Sequence, residues 1–105
     1  LLRVIYVLTY CKIWNKENLF DEYFANIIPA ILPNGIILKT VDSISDENGV
    51  AIIQIGDAEG KNGEYDNNYV WIFKFKDGLI HSLREYNSDL LVAERLYDYK
   101  LIPLD

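Results

Sequence analysis

The sequence predicts a single α+β domain in which one curved sheet is covered by a helix. Residues 69–76 place aromatic side chains at every second position, and Asp77-Gly78 joins them to a second strand-like run. Residues 16–31 instead repeat their apolar side chains with the period of a helix. The chain has 105 residues, half of them hydrophobic, which is enough for one core. We therefore expect one domain that spans residues 1–105.

The first elements are a strand and a helix. Residues 1–14 are rich in Val, Ile, Leu and Tyr, which favours a buried strand, although so short an apolar run is also compatible with a helix. Asn15 is a suitable N-cap for the helix that follows, and Pro29 and Pro33 with Asn34-Gly35 are expected to end it. The apolar face of this helix is expected to lie on the sheet.

Four antiparallel strands are predicted next. Residues 36–45 and 50–55 form a hairpin around the turn at residues 46–49, where a residue with positive φ is expected. The Gly-rich residues 56–68 predict an irregular connection to the second hairpin.

The second hairpin consists of residues 69–76 and 79–86, with a type I′ turn at Asp77-Gly78. Its second strand places Leu79, His81 and Leu83 on one face, so His81 is expected to be a partly buried structural residue. Asn87 or Ser88 then caps a short helix that ends near Tyr97.

Composition excludes several functions. A net charge of -6 and a pI near 4.6 argue against nucleic acid as a partner. One cysteine, Cys11, and one histidine, His81, cannot form an internal disulfide or a zinc site, so we expect neither a metal nor another cofactor. Arg3 and Lys12 interrupt the apolar N-terminal run, which is too short for a membrane helix. These features predict a cytoplasmic protein with no membrane partner.

Three motifs follow one another in the second half of the chain: Gly63-x-Tyr65-x-Asn67-x-Tyr69, then Val70-Trp71-Ile72-Phe73-x-Phe75-x-Asp77-Gly78-x-Ile80, then Arg84-Glu85-Tyr86. In this order they resemble the SnoaL-like and ketosteroid-isomerase-like branch of the nuclear transport factor 2-like superfamily. The resemblance covers about residues 60–97 and extends more weakly back to Asn15.

The resemblance implies a cone-shaped α+β barrel, in which a curved mixed sheet wraps around helices and encloses a deep apolar pocket, usually in a homodimer packed through the sheets. The family places two helices before its first strand, and none precedes Leu1. We therefore expect an N-terminally truncated domain with an open pocket wall. Members include isomerases, polyketide cyclases, epoxide hydrolases and dehydratases, and also non-catalytic domains, so the fold does not select the function.

Asp89 is the candidate catalytic residue. The family commonly has an acid two residues after the tyrosine of its last motif, but this position holds Ser88, and Asp89 follows. As a general acid/base, Asp89 would need a pocket position and a raised pKa. The local capping pattern favours a simpler role, in which Asp89 is an acidic residue at a helix start.

Further candidates line the expected pocket or bind the ligand: Tyr69, Trp71, Phe73, Arg84 and Tyr86. Core or interface packing explains the three aromatic residues of the first strand equally well. Arg84 and Glu85 are adjacent in a strand, so they face opposite sides of the sheet. We expect Arg84 or Tyr86 on the pocket side and Glu85 in a cross-strand pair, with structural or solvated roles favoured.

Two functions remain open. The first is a homodimeric, non-catalytic SnoaL-like domain that binds a small apolar molecule, which Ser88 at the acid position and the open pocket wall favour. The alternative is a cofactor-free isomerase, cyclase or hydrolase that transfers protons on a small apolar substrate. The sequence does not decide whether the protein is an enzyme.

Overall fold

A computed structural model describes residues 4–7 and 12–105, with side chains from Trp14 onwards. The N-terminal region is extended, as the composition favours, but it forms two short antiparallel strands, β1 (Val4–Val7) and β2 (Lys12–Asn15), instead of one. The remainder of the stretch predicted as a strand, residues 1–3 and 8–11, lies outside the described residues.

Six further strands follow the first helix, and their bounds agree with the predicted hairpins to within a few residues. They are β3 (Ile37–Asp46), β4 (Gly49–Asp57), β5 (Glu59–Gly60), β6 (Gly63–Glu64), β7 (Asn68–Lys76) and β8 (Leu79–Tyr86). The short pair β5 and β6 forms its own ribbon inside the predicted irregular connection.

The main sheet has six strands in the order β2-β1-β8-β7-β4-β3. All neighbours are antiparallel except β1 and β8, which run parallel, so the sheet is mixed. Bulges interrupt the β3–β4 and β7–β8 registers, and such bulges increase the bend of a sheet. In the described part of the chain the sheet stays open at β2 and β3, so the barrel that the resemblance implies is not closed.

Helix α1 comprises residues 16–31 in three consecutive segments: Lys16–Asn18, Leu19–Ile27 and Ile28–Ile31. The predicted cap is confirmed, because Asn15 Oδ1 accepts a hydrogen bond of 2.8 Å from the Asn18 N–H. The middle segment is wound more widely, and the Ile28 N–H donates to the Tyr23 carbonyl five residues back. Leu19 and Tyr23 are the buried residues of this segment.

Helix α2 comprises Asp89–Leu91 and Val92–Leu96, and Ser88 is its N-cap, with Oγ accepting from the Leu91 N–H at 3.3 Å. The β5–β6 turn holds the other end of α2, because the Asn62 N–H donates to the Arg95 carbonyl at 2.9 Å. Within the described ranges, neither helix has the length and apolarity needed to cross a membrane.

The two faces of the sheet differ in what they contact. The pocket face, defined by Phe73, Trp71, Leu83 and Glu85, packs against α1, and its core also contains Trp14, Leu19 and Tyr23. A second core lies at the α2 end and consists of Leu32, Ala58, Tyr65, Val92 and Leu96. The opposite face, called the outer face below, carries the residues that alternate with those of the pocket face.

The two hairpin turns differ in their backbone conformation. Asp77 and Gly78 have φ of 53° and 75°, which confirms the predicted turn with two positive φ angles. The turn at residues 46–49 uses no positive φ, contrary to expectation, because Asp46 Oδ1 accepts hydrogen bonds from the N–H groups of Asn48 and Gly49. Gly49 is required for a different reason, since a Cβ there would overlap the Phe73 carbonyl oxygen.

The β7–β8 bulge changes which residues share a face. Phe73 pairs with Leu83, but Phe75 pairs with Ile80, so His81 is the unmatched residue of β8. The expected alternation of Leu79, His81 and Leu83 on one face is therefore broken at His81.

Asn67 connects the start of β7 to the start of α2 through hydrogen bonds. It is fully buried, and its Oδ1 accepts from the N–H groups of Asn68 (2.8 Å) and Ser88 (3.0 Å). Its Nδ2 donates to the Ser88 carbonyl (3.1 Å) and to the Tyr65 hydroxyl (3.0 Å). All four bonding positions of the amide are used, so this side chain fixes the backbone at Ser88 and the ring of Tyr65 together.

Asn67→Ala should lower the free energy of unfolding by about 3 kcal/mol, because it leaves without partners the buried donors and acceptors that the amide satisfies. Asn68→Ala is the matched control, since the Asn68 side chain is exposed, and it should change stability by less than about 0.5 kcal/mol. Urea denaturation followed by circular dichroism measures both. Equal losses in the two variants would contradict the assigned role of Asn67.

Candidate functional site

One pocket opens between α1, the pocket face of the sheet and α2, and its volume is about 130 Å³. Most of its wall is aliphatic or aromatic. The lining residues are Tyr23, Phe24, Ile28, Ile31, Leu32, Ile36, Leu38, Tyr65, Tyr69, Trp71, Glu85, Asn87, Val92 and Leu96. An apolar concavity with a few convergent polar groups is the usual form of a small-molecule site.

Glu85 is the acidic residue of this lining. It follows Leu83 by two positions in β8, and it lies directly opposite Trp71 in β7, so the pleat turns its side chain to the pocket face. Only 2% of Glu85 is exposed. The carboxylate is held by two donors, with the Tyr23 hydroxyl 3.3 Å from Oε1 and Asn87 Nδ2 2.8 Å from Oε2.

The surroundings of Glu85 change its acidity. Burial among apolar side chains raises the pKa of Glu85 to about 7, because the charged form loses its hydration. The hydrogen bonds from Tyr23 and Asn87 stabilise the charged form and oppose this rise. With its pKa near neutrality, the carboxyl group can both accept and return a proton at physiological pH.

Tyr65 and Tyr69 form a second polar group of the pocket. The Tyr69 hydroxyl lies 3.1 Å from the Tyr65 hydroxyl, and Asn67 Nδ2 donates to the latter. Burial is the main cause that raises the pKa of both phenols, so both remain protonated. The ring of Tyr69 stacks on Trp71 with centroids 5.5 Å apart and an interplanar angle of 12°.

The predicted pocket residues are divided between the two faces of the sheet. Tyr69 and Trp71 line the pocket, and Phe73 lies on the same face but packs against the core beneath α1. Arg84 and Tyr86 alternate with Glu85, so they lie on the outer face, where the Arg84 Nη1 donates to the Tyr86 hydroxyl at 3.4 Å. The phase of β8 thus directs Glu85 inward and its two neighbours outward.

Asp89 lies outside the pocket lining. It is exposed and occupies the first position of α2, directly after the Ser88 cap, where a carboxylate favourably meets the positive end of the helix. This is the geometry of the helix-start role. No group of three or more His, Cys, Asp or Glu side chains within residues 14–105 is arranged to hold a metal ion.

Sequence reasoning assigned Glu85 to a cross-strand pair and missed its position in the pocket. The signal that identifies it is its spacing of two from Leu83, combined with the facing of Leu83 to Phe73 and of Glu85 to Trp71. An acid in phase with the apolar residues of a half-buried strand must be enclosed with them.

No protein-family model matches the sequence, and no curated protein does. Among solved structures, a loop-truncation variant of IdmH matches with a TM-score of 0.70 at 12% identity, over 90% of this chain and 77% of that one. AclR from Streptomyces galilaeus, a proposed hydroxylase, matches with a TM-score of 0.69 at 14% identity, over 96% of this chain and 70% of that one. At these identities the likeness shows the fold alone, an α+β fold that the chain shares with these two structures.

The raised pKa of Glu85 makes stability depend on pH. The unfolded carboxyl loses its proton near pH 4.5, whereas the folded one keeps it until about pH 7, so the folded state binds more protons between these values. The contribution of Glu85 to the free energy of unfolding is therefore fully present below pH 4.5, and it is lost as the pH rises through about 7.

Relative to Glu85→Gln, the wild-type protein should lose about 2 kcal/mol of unfolding free energy between pH 5.5 and pH 8. The difference between the two proteins removes the contribution of every titrating group that they have in common. Urea titrations at half-unit pH intervals give the two curves. Parallel curves would show that the folded carboxyl titrates as it does in the unfolded chain.

Proposed function

We propose that the pocket binds a small, largely apolar molecule and that Glu85 exchanges a proton with it, as the acid/base of a cofactor-free reaction. The observation that carries this proposal is a carboxyl group with a pKa near 7 in the wall of an apolar pocket. An acid/base works best when its pKa lies near the operating pH. Glu85 meets this condition and Asp89, exposed at a helix start, has no such surroundings.

The pocket volume limits the size of the substrate. A cavity of about 150 Å³ admits a benzene-sized molecule, and the pocket here has about 130 Å³. A ligand with a single six-membered ring therefore fills it. Tyr23, Phe24 and Ile28 of α1 form one wall, so a larger molecule would extend past this helix out of the pocket mouth.

The geometry suits proton transfer within a bound molecule. Tyr23 and Asn87 hold the two carboxylate oxygens of Glu85 in place, so the group faces the ligand without needing to reorganise. The ionised form removes a proton from the ligand, and the resulting acid returns it at the same or a neighbouring atom. Isomerisation is the simplest reaction of this class, and a positioned acid/base typically contributes about 10² to 10⁴ in rate.

A non-catalytic ligand-binding domain is the second candidate, and one observation favours it. Both oxygens of Glu85 already accept hydrogen bonds from the protein, and Tyr23 belongs to α1 whereas Glu85 belongs to β8. The carboxyl group therefore also fastens the helix to the sheet, a structural role that requires no reaction.

Exchange of a carbon-bound hydrogen distinguishes the two candidates. In D₂O, the protein should accelerate deuterium incorporation at the α-carbons of cyclohexanone, measured by mass spectrometry, by at least about 10² over buffer. Glu85→Gln should abolish the acceleration, because an amide cannot act as the base, while Asp89→Asn should retain it. Binding without exchange would favour the non-catalytic domain, and loss in Asp89→Asn alone would transfer the role to Asp89.

We also propose that two copies of the chain associate through the outer face of the sheet. Adjacent strands place aliphatic side chains side by side there: Ile44 beside Ala51, Ala51 beside Ile72, and Ile53 beside Val70. Ile44 is 69% exposed and Ile55, on the same face, is 42% exposed. Apolar rows of this kind are typical of surfaces that a partner covers, and the family resemblance implies a homodimer packed through its sheets.

Ile44→Glu should convert a dimer into a monomer, because it introduces a charge into the contact. Leu104→Glu is the matched control, since Leu104 is 99% exposed but lies in the C-terminal segment, outside every strand, and it should leave the dimer intact. Light scattering coupled to size exclusion gives the mass of each protein. A wild-type chain that elutes as a monomer at all concentrations would refute the association.

A further inference from the structure

We propose that β3, the edge strand of the main sheet, pairs antiparallel with β3 of a second copy of the chain, about a two-fold axis that passes between Thr40 and Val41. The two six-stranded sheets then continue into one another. This inference goes beyond the proposed function, because it concerns the edge of the sheet and involves neither the pocket nor a stacking of outer faces.

The edge of the sheet at β3 is open. β3 comprises Ile37–Asp46, and it bonds to β4 on one side and, within the described ranges, to no strand on the other. All of its residues are exposed. A long edge strand is a template for another strand, unless proline, several charged side chains or a covering segment block it. β3 contains no proline, and Lys39 is its single basic residue.

The pairing of β4 identifies the backbone groups that face this open edge. The Gly56 N–H donates to the Asn67 carbonyl at 2.8 Å, so the even-numbered residues of β4 bond towards β7 and the odd-numbered ones bond towards β3. Leu38 lies opposite Gly56, and Ser43 lies opposite Ile52, which are even-numbered positions. The N–H and C=O groups of Leu38 and Ser43 therefore point away from β4, to the open edge.

The bulge in β3 makes a symmetric pairing possible. In a regular strand, Leu38 and Ser43 would point to opposite edges, because their separation is an odd number of residues. Val41 is the unmatched residue between Thr40 and Asp42, and it shifts this phase. Leu38 of each copy can therefore form a hydrogen-bonded pair with Ser43 of the other copy, which places the two-fold axis between Thr40 and Val41.

The side chains that lie opposite each other in this register are complementary. Ile37 lies opposite Ile44 of the second copy, and Lys39 lies opposite Asp42 of the second copy, and the two-fold symmetry repeats each pair. All four belong to the outer face, since their partners in β4 are the odd-numbered residues. Ile37 is 71% exposed and Ile44 is 69% exposed in the single chain. The contact therefore covers two exposed aliphatic side chains and joins opposite charges.

A different register loses both kinds of pair. Moving the axis by one residue towards the β3–β4 turn also keeps outward-facing backbone groups opposed, but it places Lys39 opposite Ile44 and Ile37 opposite Asp46. A charged side chain opposite an aliphatic one gains neither an ion pair nor an apolar contact. The side chains of β3 therefore favour the axis between Thr40 and Val41.

This register also continues a row of apolar side chains on the outer face. Ile44 lies beside Ala51, and Ala51 lies beside Ile72. Ile37 of the second copy follows Ile44 in the same row, so the row extends from one sheet into the next. The edge contact leaves the outer faces uncovered, and an association through these faces can coexist with it.

Charge reversal in one copy at a time tests the register. Lys39→Asp places two carboxylates opposite each other, and Asp42→Lys places two ammonium groups opposite each other, twice in each dimer. Each variant alone should self-associate at least about tenfold more weakly than the wild-type protein, because like charges directly opposite repel. In an equimolar mixture each carboxylate again meets an ammonium group, so association should return to within about threefold of the wild-type value. Sedimentation equilibrium gives the dissociation constants.

Lys76→Asp is the matched control, because it makes the same change of charge at an exposed position of β7, away from the β3 edge. It should keep the dissociation constant within about threefold of the wild-type value. Recovery of association in the mixture also shows that both single variants are folded.

Amide hydrogen exchange, followed by NMR, distinguishes the edge from the outer face. At a concentration above the dissociation constant, the N–H groups of Leu38 and Ser43 should exchange at least about tenfold more slowly in the wild-type protein than in Lys39→Asp. A stacking of outer faces leaves these N–H groups open to water and would not slow them.

Three results would overturn the inference: a mixture that associates no more tightly than either variant, a wild-type chain that is monomeric at millimolar concentration, or Leu38 and Ser43 amides that exchange at the same rate in the wild-type protein and in Lys39→Asp. Equal association of the wild-type protein and both variants would assign the contact to the outer face and overturn the inference as well. The proposed function of the pocket fails separately, in the deuterium-exchange experiment with Glu85→Gln.

Discussion

Enclosing the Glu85 carboxyl group among apolar side chains is the constraint on which the site depends. A charged carboxylate in this position loses its hydration, and the protein offsets part of that cost with two donors from different elements, Tyr23 of α1 and Asn87 after β8. These contacts place the first helix over the pocket and fix the chain that leaves the strand. Because the two hydrogen bonds offset only part of the cost of burial, the pKa of Glu85 stays near neutrality. The stability and the chemistry of the site therefore both depend on how burial and hydrogen bonding of this carboxyl group compare.

The α2 end of the pocket uses neutral groups where the α1 end uses an acid. Asn67 satisfies the backbone around Ser88, and its remaining N–H orients the phenol of Tyr65. A neutral amide is suited to this role, because all its bonding positions are filled without any charge to bury. The pocket therefore lies between a titratable group and a non-titratable network, and only the former responds to pH in the physiological range.

Sequence reasoning predicted the parts of the fold that local chemistry determines. Asn15 and Ser88 indicate helix starts, because their side-chain oxygens can cap a helix. Asp77-Gly78 indicates a turn, because these residues tolerate positive φ. The position of Glu85 depends instead on the register between β7 and β8. The unmatched His81 shifts the phase of β8 between Ile80 and Leu83, so alternation counted from the turn does not carry through to the acid. The tyrosine pair depends likewise on a contact between a loop and a strand.

The parallel pairing of β1 with β8 has a consequence for how the molecule assembles. Val7 lies opposite Glu85, so the first described strand can dock only after nearly the whole chain is available. The strands β3, β4, β7 and β8 meet through short connections, and such local pairings form early, whereas a long loop closure is slow. We therefore expect β8 to remain an unprotected edge during folding. The strand that carries the acid becomes an interior strand of the sheet only when β1 pairs alongside it.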